Sequence, residues 1–379
     1  MAVKQFVYLS IGSNLGHKKL NLQKSIFLIN EKLGRVTAVS AMYKSPSWGF
    51  EGGEFLNACV QLETTKDPEW LLSGLLQLEQ KLGRERAIHK GYANRTIDID
   101  ILYYGKEVIN TDTLTIPHPK MKERKFVLKP LADIAPQFYH PIFNKDTRNL
   151  LQQCPDKSSL TKVSKKLYPD RKALFSAMEF ITIEGNIGAG KTTLATKIAE
   201  DLNAKLILER FAENPFLPSF YKDRSRFAFP LEMSFLADRY QQFMDDTSQF
   251  DLFKGFMISD YDIFKSLIFA KVTLQKQEFE LYRKVFGFMY KEIKKPKIYV
   301  YLHQTSARLL ENIKKRGRDY EQDIAVDYLE NINRGYLDFL KTYPKENQLI
   351  IDISELDFAN KKMDYLKVLE HIQDFAILQ

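Results

Sequence analysis

Residues 180–193 read FITIEGNIGAGKTT, and this stretch sets the architecture of the second half of the chain. An apolar strand-like run precedes the pattern GxxxxGK[ST], and a helical pattern follows it. The glycines let backbone N–H groups turn towards phosphate oxygens, and the helix adds the positive end of its dipole. Lys191 is placed to reach the β- and γ-phosphates. The predicted ATP-binding residues are Gly185, Asn186, Gly188, Gly190, Lys191, Thr192 and Thr193.

Further apolar runs continue the pattern of this first strand. Long helical stretches separate KLILE (205–209), FMISD (256–260), IYVYL (298–302) and QLIIDI (348–353). Continuous apolar strands between helices are typical of a parallel sheet covered on both faces. The second half is therefore predicted to be an α/β domain with a parallel sheet flanked by helices.

Charged residues follow two of these predicted elements. Glu209 ends the second strand at the carboxyl edge of the sheet, where open α/β folds bind ligands. A carboxylate there could take the proton of an acceptor hydroxyl during phosphoryl transfer, although a surface glutamate at a strand end is the alternative. Arg316 and Arg318 in KKRGRDYE (314–321) follow a helix. They could close over a triphosphate, or only complement the helix dipole.

From Met178 onward the chain resembles the deoxynucleoside kinase family. The resemblance rests on the phosphate loop, the carboxylate after the second strand, FYKDRSRFAFPLEMSFLADRY (220–240) and RGRDYE (316–321). It implies that Glu209 is the general base and that Arg316 and Arg318 are catalytic arginines of a lid. It also implies a Mg²⁺ site at Thr192 and Asp260. The nucleoside-binding positions that it implies are Tyr221, Glu232, Arg239 and Glu321.

Some positions depart from that family's pattern. Glu232 stands where many members carry a glutamine that reads the base. Because a carboxylate only accepts hydrogen bonds unless it is protonated, Glu232 favours a base edge with an exocyclic amine. The segment NPFL (214–217) resembles the bacterial purine deoxynucleoside kinases, and Glu232 then favours deoxyadenosine over deoxyguanosine as the acceptor. Tyr261 replaces an arginine and Ser266 an acid, so a non-catalytic nucleotide-binding module stays open as an alternative.

The first half carries two carboxylates on one predicted strand. RTIDIDIL (95–102) alternates strictly, so Asp98 and Asp100 share one face and the isoleucines the other. Adjacent carboxylates repel each other unless a cation lies between them, and Mg²⁺ prefers one or two carboxylates together with substrate phosphates. A solvated acidic face is the alternative. Arg84, Arg86 and Arg95, close in sequence, suit a metal-bound polyphosphate.

From Val3 to about Pro155 the chain resembles 6-hydroxymethyl-7,8-dihydropterin pyrophosphokinase, an enzyme of folate synthesis. The matching stretches are IGSNLG (11–16), FLNACVQLET (55–64), RTIDIDIL and LTIPHPKM (114–121). The resemblance implies an α+β ferredoxin-like fold, Mg²⁺ held by Asp98 and Asp100, and diphosphoryl transfer from ATP with release of AMP.

The same resemblance assigns contacts to substrate. It implies that Arg84 and Arg95 are catalytic contacts to the polyphosphate and that His118 and Arg124 bind ATP. The implied pterin-binding residues are Ser45, Pro46, Phe55, Asn57 and Phe126. Because Phe55, Tyr92 and Pro119 depart from the family's residues at those positions, the rate is expected to change while the activity survives.

Composition is consistent with two soluble catalytic domains. The 379 residues carry a net charge of +8 and two cysteines without a CxxC pair. The predicted division is a pterin pyrophosphokinase domain at 1–157, a basic linker at 158–177 and a P-loop deoxynucleoside kinase domain at 178–379. No long apolar span is present, so the expectation is a cytoplasmic protein without a membrane partner. The kinase resemblance implies a homodimer formed through the second domain.

The leading interpretation is a bifunctional enzyme that uses Mg²⁺ and ATP for small-molecule acceptors. Several alternatives remain for the second half: a kinase for deoxyguanosine, thymidine or a nucleoside monophosphate, or the binding module named above. Glu209 disfavours a monophosphate, whose own phosphate it would repel. The positive charge also suits nucleic acid, but no RNP, zinc-finger or helix-turn-helix signature is present, so no nucleic-acid partner is expected.

Overall fold

The computed structural model describes residues 3–84, 94–210, 214–248, 253–318, 321–322 and 324–379, apart from the side chains of residues 221, 224 and 248. It divides into two compact units, Met1–Leu174 with Ile377–Gln379, and Phe175–Ala376. Each unit has its own sheet. No helix in the described ranges is long and apolar enough to cross a membrane.

The first unit has helices packed against an antiparallel sheet. Its strands are β1 (Gln5–Ser13), β2 (Arg35–Val39), β3 (Tyr43–Ser45), β4 (Phe55–Thr64), β5 (Asp98–Tyr104), β6 (Ile109–Asn110), β7 (Thr115–Ile116) and β8 (Thr161–Lys162). Its helices are α1 (Lys18–Lys32), α2 (Pro68–Lys81), α3 (Lys125–Ile134) and α4 (Thr147–Gln152). Helix α5 (Arg171–Met178) begins in this unit and extends beyond Leu174 into the second unit. The sheet order is β5-β1-β4-β3-β8, with β2 also paired to β4.

Strand β5 carries the predicted pair of carboxylates. Ile99 and Ile101 are buried, whereas Asp98 and Asp100 are partly exposed, which confirms the alternation read from the sequence. Antiparallel pairing places Asp98 opposite Gly12 and Asp100 opposite Ser10 on β1. The carboxylates therefore lie on one face of the sheet, two residues apart.

Helix α2 begins at a cap that the sequence encodes and brings a further carboxylate to β5. The Asp67 side chain accepts a hydrogen bond from the Trp70 backbone N–H at 2.9 Å, as expected of an N-cap. Near the other end of the helix, Glu79 accepts a hydrogen bond from the Ile99 backbone N–H at 2.8 Å. The apolar face that packs the helix on the sheet is formed by Leu71, Leu75 and Leu78.

The segment 158–174 differs from the linker predicted at 158–177, because it belongs to the first compact unit. Strand β8 pairs with β3. The Tyr168 backbone exchanges two hydrogen bonds with the Gln23 side chain, at 2.7 and 2.8 Å. Leu167 is buried in the core while the lysines of the segment are exposed. The high lysine content suggested a solvated linker, but the segment's few apolar residues hold it against the sheet.

The second unit contains the predicted parallel sheet, which is confirmed. Its strands are β9 (Phe180–Gly185), β10 (Lys205–Ile207), β11 (Met257–Ser259), β12 (Ile298–His303) and β13 (Gln348–Asp352), in the order β10-β11-β9-β12-β13. Each pair of neighbouring strands in this order runs parallel. The helices are α6 (Lys191–Leu202), α7 (Leu217–Lys222), α8 (Arg224–Ser248), α9 (Phe264–Thr273), α10 (Lys276–Tyr290), α11 (Ser306–Arg316), α12 (Val326–Thr342) and α13 (Lys362–Leu378).

The strand order brings the predicted site to one edge of this sheet. Strands β9, β10 and β11 are parallel neighbours, so their carboxyl ends lie side by side. The glycine-rich loop follows β9, Glu209 follows β10 and Asp260 follows β11. Ligand sites of open α/β sheets lie at this edge.

Candidate active sites

The glycine-rich loop of the second unit has the backbone that its sequence predicts. Gly188 and Gly190 have φ values of +81° and +80°, a region that favours glycine. Gly190 is also the residue that precedes helix α6, whose first residue is Lys191. The Lys191 ammonium donates a hydrogen bond to the Asn186 carbonyl at 3.0 Å. Burial and the neighbouring Lys265 ammonium lower the pKa of Lys191 to about 8.

A cavity on the outer side of this loop contains residues that sequence reasoning missed. Phe358 packs so closely on Gly190 that an added Cβ would lie 2.7 Å from its ring. The Lys197 ammonium donates to the carbonyls of Phe358 and Ala359 at 2.9 and 2.7 Å. This wall comes from the segment after β13, whose sequence shows no motif. The other lining residues include Arg308, Asn312, Lys315, Asp357 and Asn360.

A second cavity, of about 120 Å³, collects most of the nucleoside-site residues predicted from the sequence. Lys191 and Thr192 line one side of it, and apolar side chains from α7, α8 and α9 also line it. Tyr221 lies in α7, but its side chain is outside the described part of the chain. The predicted residues that do line the cavity are Glu209, Glu232, Arg239, Asp260, Arg316, Arg318 and Glu321.

Glu209 is buried between two cations. Its Oε1 accepts hydrogen bonds from Nε and a terminal nitrogen of Arg239, at 2.8 and 2.7 Å. Its Oε2 accepts from the Lys265 ammonium at 2.6 Å. Burial would raise the pKa of Glu209, but Lys265 and Arg239 outweigh it and hold the pKa far below its usual range. The carboxylate is therefore ionised and fixed in orientation.

Asp260 connects the phosphate loop with Glu209 through hydrogen bonds to both. Its Oδ1 accepts a hydrogen bond from the Glu209 backbone N–H at 2.8 Å, and its Oδ2 accepts one from the Thr192 hydroxyl. A hydroxyl and a carboxylate side by side at the phosphate loop are oxygen donors of the type that Mg²⁺ prefers.

The two departures noted in the sequence have direct structural consequences. Arg239 donates a hydrogen bond to the Ser266 hydroxyl at 2.8 Å, so a neutral partner stands where an acid was expected. Tyr261 is fully buried and packs edge-on to Phe243, with 6.0 Å between ring centroids. The chain thus uses position 261 for packing, and the cation beside Glu209 comes from Lys265, which the sequence did not indicate.

Glu232 lies in the same cavity with different partners. The Thr273 hydroxyl donates a hydrogen bond to its Oε1 at 2.8 Å. Its Oε2 is buried and accepts no hydrogen bond from the described residues. Burial raises the pKa of Glu232 to about 7, although Arg239 and the Thr273 hydroxyl partly oppose this rise. The group can therefore exist as carboxylate or as carboxylic acid near neutral pH.

The predicted lid residues meet one another beyond α11. Arg316 and Arg318 both pair with Glu321, the latter at 3.4 Å. Gly317 between the two arginines has φ +71° and ends the helix. Both arginines line the cavity together with Glu321.

In the first unit, arginines surround Asp98. Arg84 and Arg95 each contact its Oδ1, at 2.8 and 2.7 Å. Arg84 also pairs with Glu79, a buried carboxylate that sequence reasoning missed because it lies in an ordinary amphipathic helix. Burial raises the pKa of Glu79, and the Arg84 guanidinium opposes that rise. Arg86 and Tyr92 lie outside the described residues.

Asp100 faces His118 and Arg124, each 3.9 Å from its Oδ2. Burial and the neighbouring Asp98 raise the pKa of Asp100 to about 7. Burial and Arg124 lower the pKa of His118 to about 4, so this imidazole is neutral at pH 7. Since its Nδ1 accepts a hydrogen bond from the Lys120 backbone N–H at 3.2 Å, its proton resides on Nε2. His118 can therefore donate a hydrogen bond to an anion.

An aromatic cavity adjoins the two aspartates. The Asn57 amide donates a hydrogen bond to the Ser45 hydroxyl at 3.0 Å. The Arg124 guanidinium lies 4.9 Å from the Trp48 ring centroid. Trp48 and Phe50 also line this cavity but were not predicted. The sequence feature that could have indicated them is the pair of aromatic residues in a loop rich in proline and glycine. The predicted residues that line this cavity are Ser45, Pro46, Phe55, Asn57, Arg95, Asp98, Asp100, Arg124 and Phe126.

Comparison with known proteins divides the chain in the same way. Residues 181–377 match the family described as deoxynucleoside kinase, and residues 8–136 match 7,8-dihydro-6-hydroxymethylpterin-pyrophosphokinase (HPPK). Deoxyguanosine kinase from Bacillus subtilis (strain 168) is 37% identical over 203 residues, 52% of this chain and 98% of that protein.

Two further relatives cover the two halves separately. 2-amino-4-hydroxy-6-hydroxymethyldihydropteridine pyrophosphokinase from Aquifex aeolicus (strain VF5) is 40% identical over 140 residues, 37% of this chain and 86% of that protein. A solved structure of deoxyadenosine kinase from M. mycoides with bound dATP is 26% identical, covers 51% of this chain and 98% of that chain, and has a TM-score of 0.45. The chain therefore belongs to the HPPK family in its N-terminal half and to the deoxynucleoside kinase family in its C-terminal half.

Proposed function

We propose that this chain transfers the γ-phosphoryl group of ATP to the 5′-hydroxyl of a purine deoxynucleoside, and a diphosphoryl group of ATP to 6-hydroxymethyl-7,8-dihydropterin. The observation that carries the first activity is the ionised Glu209 in the cavity beside Lys191, Thr192 and Asp260. The second activity rests on the pair Asp98 and Asp100 beside an aromatic cavity. Both family assignments support these two chemistries.

In the nucleoside kinase reaction, Glu209 acts as the general base. It takes the proton of the 5′-hydroxyl while that oxygen attacks the γ-phosphorus, and ADP leaves. Lys191 neutralises the β- and γ-phosphates, and Arg316 and Arg318 add positive charge where the transferring group becomes more exposed. A monophosphate acceptor would bring a second anion towards Glu209, so a neutral nucleoside fits this cavity better.

We propose deoxyadenosine as the preferred acceptor. In its protonated form Glu232 offers one donor and one acceptor, which matches the N1 acceptor and N6 amino donor of adenine. A pKa of about 7 for Glu232 makes that form available near neutral pH. Deoxyguanosine is the second candidate, because the B. subtilis relative carries that name and an ionised Glu232 matches the two N–H donors of guanine.

In the pterin reaction the hydroxymethyl oxygen attacks the β-phosphorus, the bond from that phosphorus to the α,β-bridging oxygen breaks, and AMP leaves. Asn57 and Ser45 offer hydrogen bonds to the heterocycle, and the aromatic side chains offer faces for stacking. Arg84, Arg95, His118 and Arg124 are the groups available for the polyphosphate. Apart from the short strand β3, the elements from β1 to β5 follow a β-α-β-β-α-β order, which supports the proposed ferredoxin-like fold.

We include Mg²⁺ as the cofactor of both reactions. Asp98 with Asp100, and Thr192 with Asp260, would hold it together with substrate phosphates. The donors fit: they are hard oxygen ligands, and the pKa of Asp100 is raised by burial and by Asp98, a like-charge contact that a cation relieves. When bound, Mg²⁺ neutralises phosphate charge and orients the polyphosphate.

A product assay on the intact purified chain tests both activities. The protein is supplied with Mg²⁺ and ATP and then with the pterin, with each of the common deoxynucleosides, or with neither. We expect AMP only with the pterin and ADP only with a nucleoside, with deoxyadenosine the best. AMP without ADP from any nucleoside would refute the kinase proposal, and a clear preference for thymidine would refute the purine acceptor.

We further propose a cytoplasmic homodimer formed through the kinase half. The family resemblance supports the dimer, and the two unpaired, buried cysteines suit a reducing compartment. Sedimentation equilibrium of the intact chain tests the dimer, since its monomer mass is 44.2 kDa. A single species of monomer mass at assay concentration would contradict it.

A further inference from the structure

Helix α11 lies directly against the phosphate loop. A Cβ added to Gly188 would stand 2.9 Å from the Leu309 carbonyl oxygen and 3.0 Å from the Ile313 side chain. The absence of a side chain at this glycine is therefore what allows the helix to approach the loop so closely. The helix ends at Arg316, one of the two arginines proposed to act on the transferring phosphoryl group. The packing of α11 on the loop thus sets where the backbone of this arginine lies.

Arg316 and Arg318 line both cavities beside the loop, the nucleoside cavity and the outer cavity. Gly188, Lys191 and Thr192 also line both of them. In the proposed reaction the γ-phosphoryl group passes from a donor on the loop to an acceptor in the nucleoside cavity, so the arginines stand where it transfers. A displacement of about 1 Å at such a place can cost roughly 100-fold in rate, so the position of these cations matters.

Asn312 adds polar contacts to this packing. Its amide donates a hydrogen bond to the Gly188 carbonyl at 2.9 Å and another to Oε1 of Gln304 at 3.2 Å. Gln304 is buried and immediately follows strand β12. Both N–H donors of the amide are therefore used, and they reach two different segments. Asn312 lies four residues before Arg316, so the two share one face of the helix.

The contacts of Asn312 belong to a closed ring of hydrogen bonds that starts and ends at the phosphate loop. The Asn186 amide of the loop donates to Oδ1 of Asn333 in α12 at 2.8 Å. The Asn333 amide donates to the Gln304 carbonyl at 3.2 Å, and Gln304 in turn accepts from Asn312. Asn312 then returns to the loop at Gly188. The ring fixes the loop, α11 and α12 relative to one another, because a shift of one member strains the hydrogen bonds to its neighbours.

We propose that Asn312 is a positioning residue for phosphoryl transfer, holding the last turn of α11 on the phosphate loop so that Arg316 stays where the two cavities meet. This rests on the proposed kinase function of the second unit. Packing at Gly188 limits the distance between helix and loop, and the two directional hydrogen bonds of Asn312 fix the rotation of the helix. Asn312 acts through Arg316 and not by contact with the reacting atoms.

A purely structural Asn312 would give a different result. Its replacement would lower the unfolding midpoint and leave kcat of the folded enzyme unchanged. A positioning Asn312 supports kcat through Arg316, so its replacement should matter little once Arg316 has been removed. A double-mutant cycle measures this dependence.

The first experiment measures kcat and KM for the preferred deoxynucleoside, at saturating Mg²⁺ and ATP, in wild type, N312L, R316Q and the double variant. Leucine has the branched shape of asparagine but donates no hydrogen bond from its side chain. N312L should lower kcat by about 10- to 100-fold in the wild-type background and by no more than about twofold in R316Q. N331L makes the same replacement at an exposed position of α12 and should keep the wild-type kcat. Equal falls in both backgrounds would overturn the proposal.

A second experiment uses the intact chain without substrate, so it separates this proposal from the kinase function. Amide hydrogen exchange, followed by mass spectrometry, reports on the opening of the backbone hydrogen bonds of α11. We expect faster exchange of residues 306–317 in N312L than in wild type, and wild-type exchange in N331L. Unchanged exchange of these residues in N312L would overturn the proposal, whereas faster exchange together with no nucleoside phosphorylation by wild type would sink only the proposed function.

Replacement by alanine covers the case in which N312L does not fold. N312A removes the same two donors and places no branched apolar group beside Gly188. It takes the place of N312L in the cycle, with the same expectation in the two backgrounds. A kcat of N312A equal to that of wild type would overturn the proposal.

Discussion

Glu184, Glu209 and Glu232 are all buried carboxyls of the second unit, yet their partners give them different proton affinities. Glu209 contacts two cations, so its pKa stays far below the usual range although burial opposes this. Glu184 accepts hydrogen bonds from the Asp262 and Gly185 backbone and from the Tyr336 hydroxyl, and burial raises its pKa. Glu232 has one hydroxyl partner. With its pKa raised by burial to about 7, Glu232 can change charge near neutral pH.

The proton on Glu232 should therefore decide which purine is preferred. Its pKa of about 7 means carboxylic acid below that pH and carboxylate above it. The charged and titratable groups that act on it are Arg239, Lys265 and Tyr282. The acid matches the donor and acceptor of adenine's Watson–Crick edge, whereas the carboxylate matches the two donors of guanine. We expect the ratio of kcat/KM for deoxyguanosine to that for deoxyadenosine to rise by up to about 100-fold between about pH 6 and pH 8, because the ratio of carboxylate to acid rises by that factor.

Two variants check this interpretation. E232Q has a fixed donor and acceptor, so it should prefer deoxyadenosine at every pH and lose the dependence. E280Q changes an exposed glutamate of α10 and should behave as wild type. A ratio that rises equally in E232Q would assign the pH effect to another group.

Residues of the site were predictable from the sequence where a local pattern encloses them. Asp98 and Asp100 share a strand, and Lys191 lies in a glycine-rich motif, so spacing alone places them. Lys265 could not be found in this way, because it is recognisable as a site residue only through its contact with Glu209, which lies 56 positions earlier in the chain. Three-dimensional packing, and not spacing, creates that pair.

At the scale of elements, those encoded by one continuous stretch of sequence were predicted, and contacts between distant segments were not. Strand β9, its loop and α6 are continuous, so one stretch of sequence predicted all of them. Phe358, which packs on the loop at Gly190, comes from the segment after β13, an edge strand of the sheet. It lies far from the loop in sequence, so the motif gave no indication of it. A single buried apolar residue in a charged stretch, such as Leu167 in 158–174, creates no hydrophobic periodicity in the sequence. The packing of this segment could therefore not be predicted.

The segment 158–174 should stabilise the first unit. Leu167 is 8% exposed and belongs to the core, so L167A should lower the free energy of unfolding of this unit by about 2–4 kcal/mol. Both tryptophans of the chain, Trp48 and Trp70, lie in the first unit, so tryptophan fluorescence during urea unfolding reports on that unit alone. K166A changes an exposed neighbour and should have almost no effect. Equal midpoints for L167A and wild type would mean that the segment contributes no stability.

At the scale of the whole molecule, each unit contains its own cavity lined by candidate catalytic groups. The first has paired aspartates, arginines and an aromatic cavity, and the second has a phosphate loop, the proposed base Glu209 and the buried carboxyl of Glu232. The net charge of +8 suits the polyphosphate that both reactions share. Because the groups proposed for each reaction line a cavity of their own unit, we expect the two reactions to be catalysed separately.

Separate catalysis predicts that each activity survives loss of the other. E209Q removes the base, so ADP formation with the nucleoside should fall by about 10²–10⁴-fold while ATP binding and AMP formation with the pterin persist. D98N combined with D100N removes the carboxylates beside Arg84 and Arg95, so AMP formation should fail while ADP formation persists. Both products are measured by chromatography from one reaction. Loss of AMP formation in folded E209Q would show that the second site governs the first, since Glu209 has no part in diphosphoryl transfer.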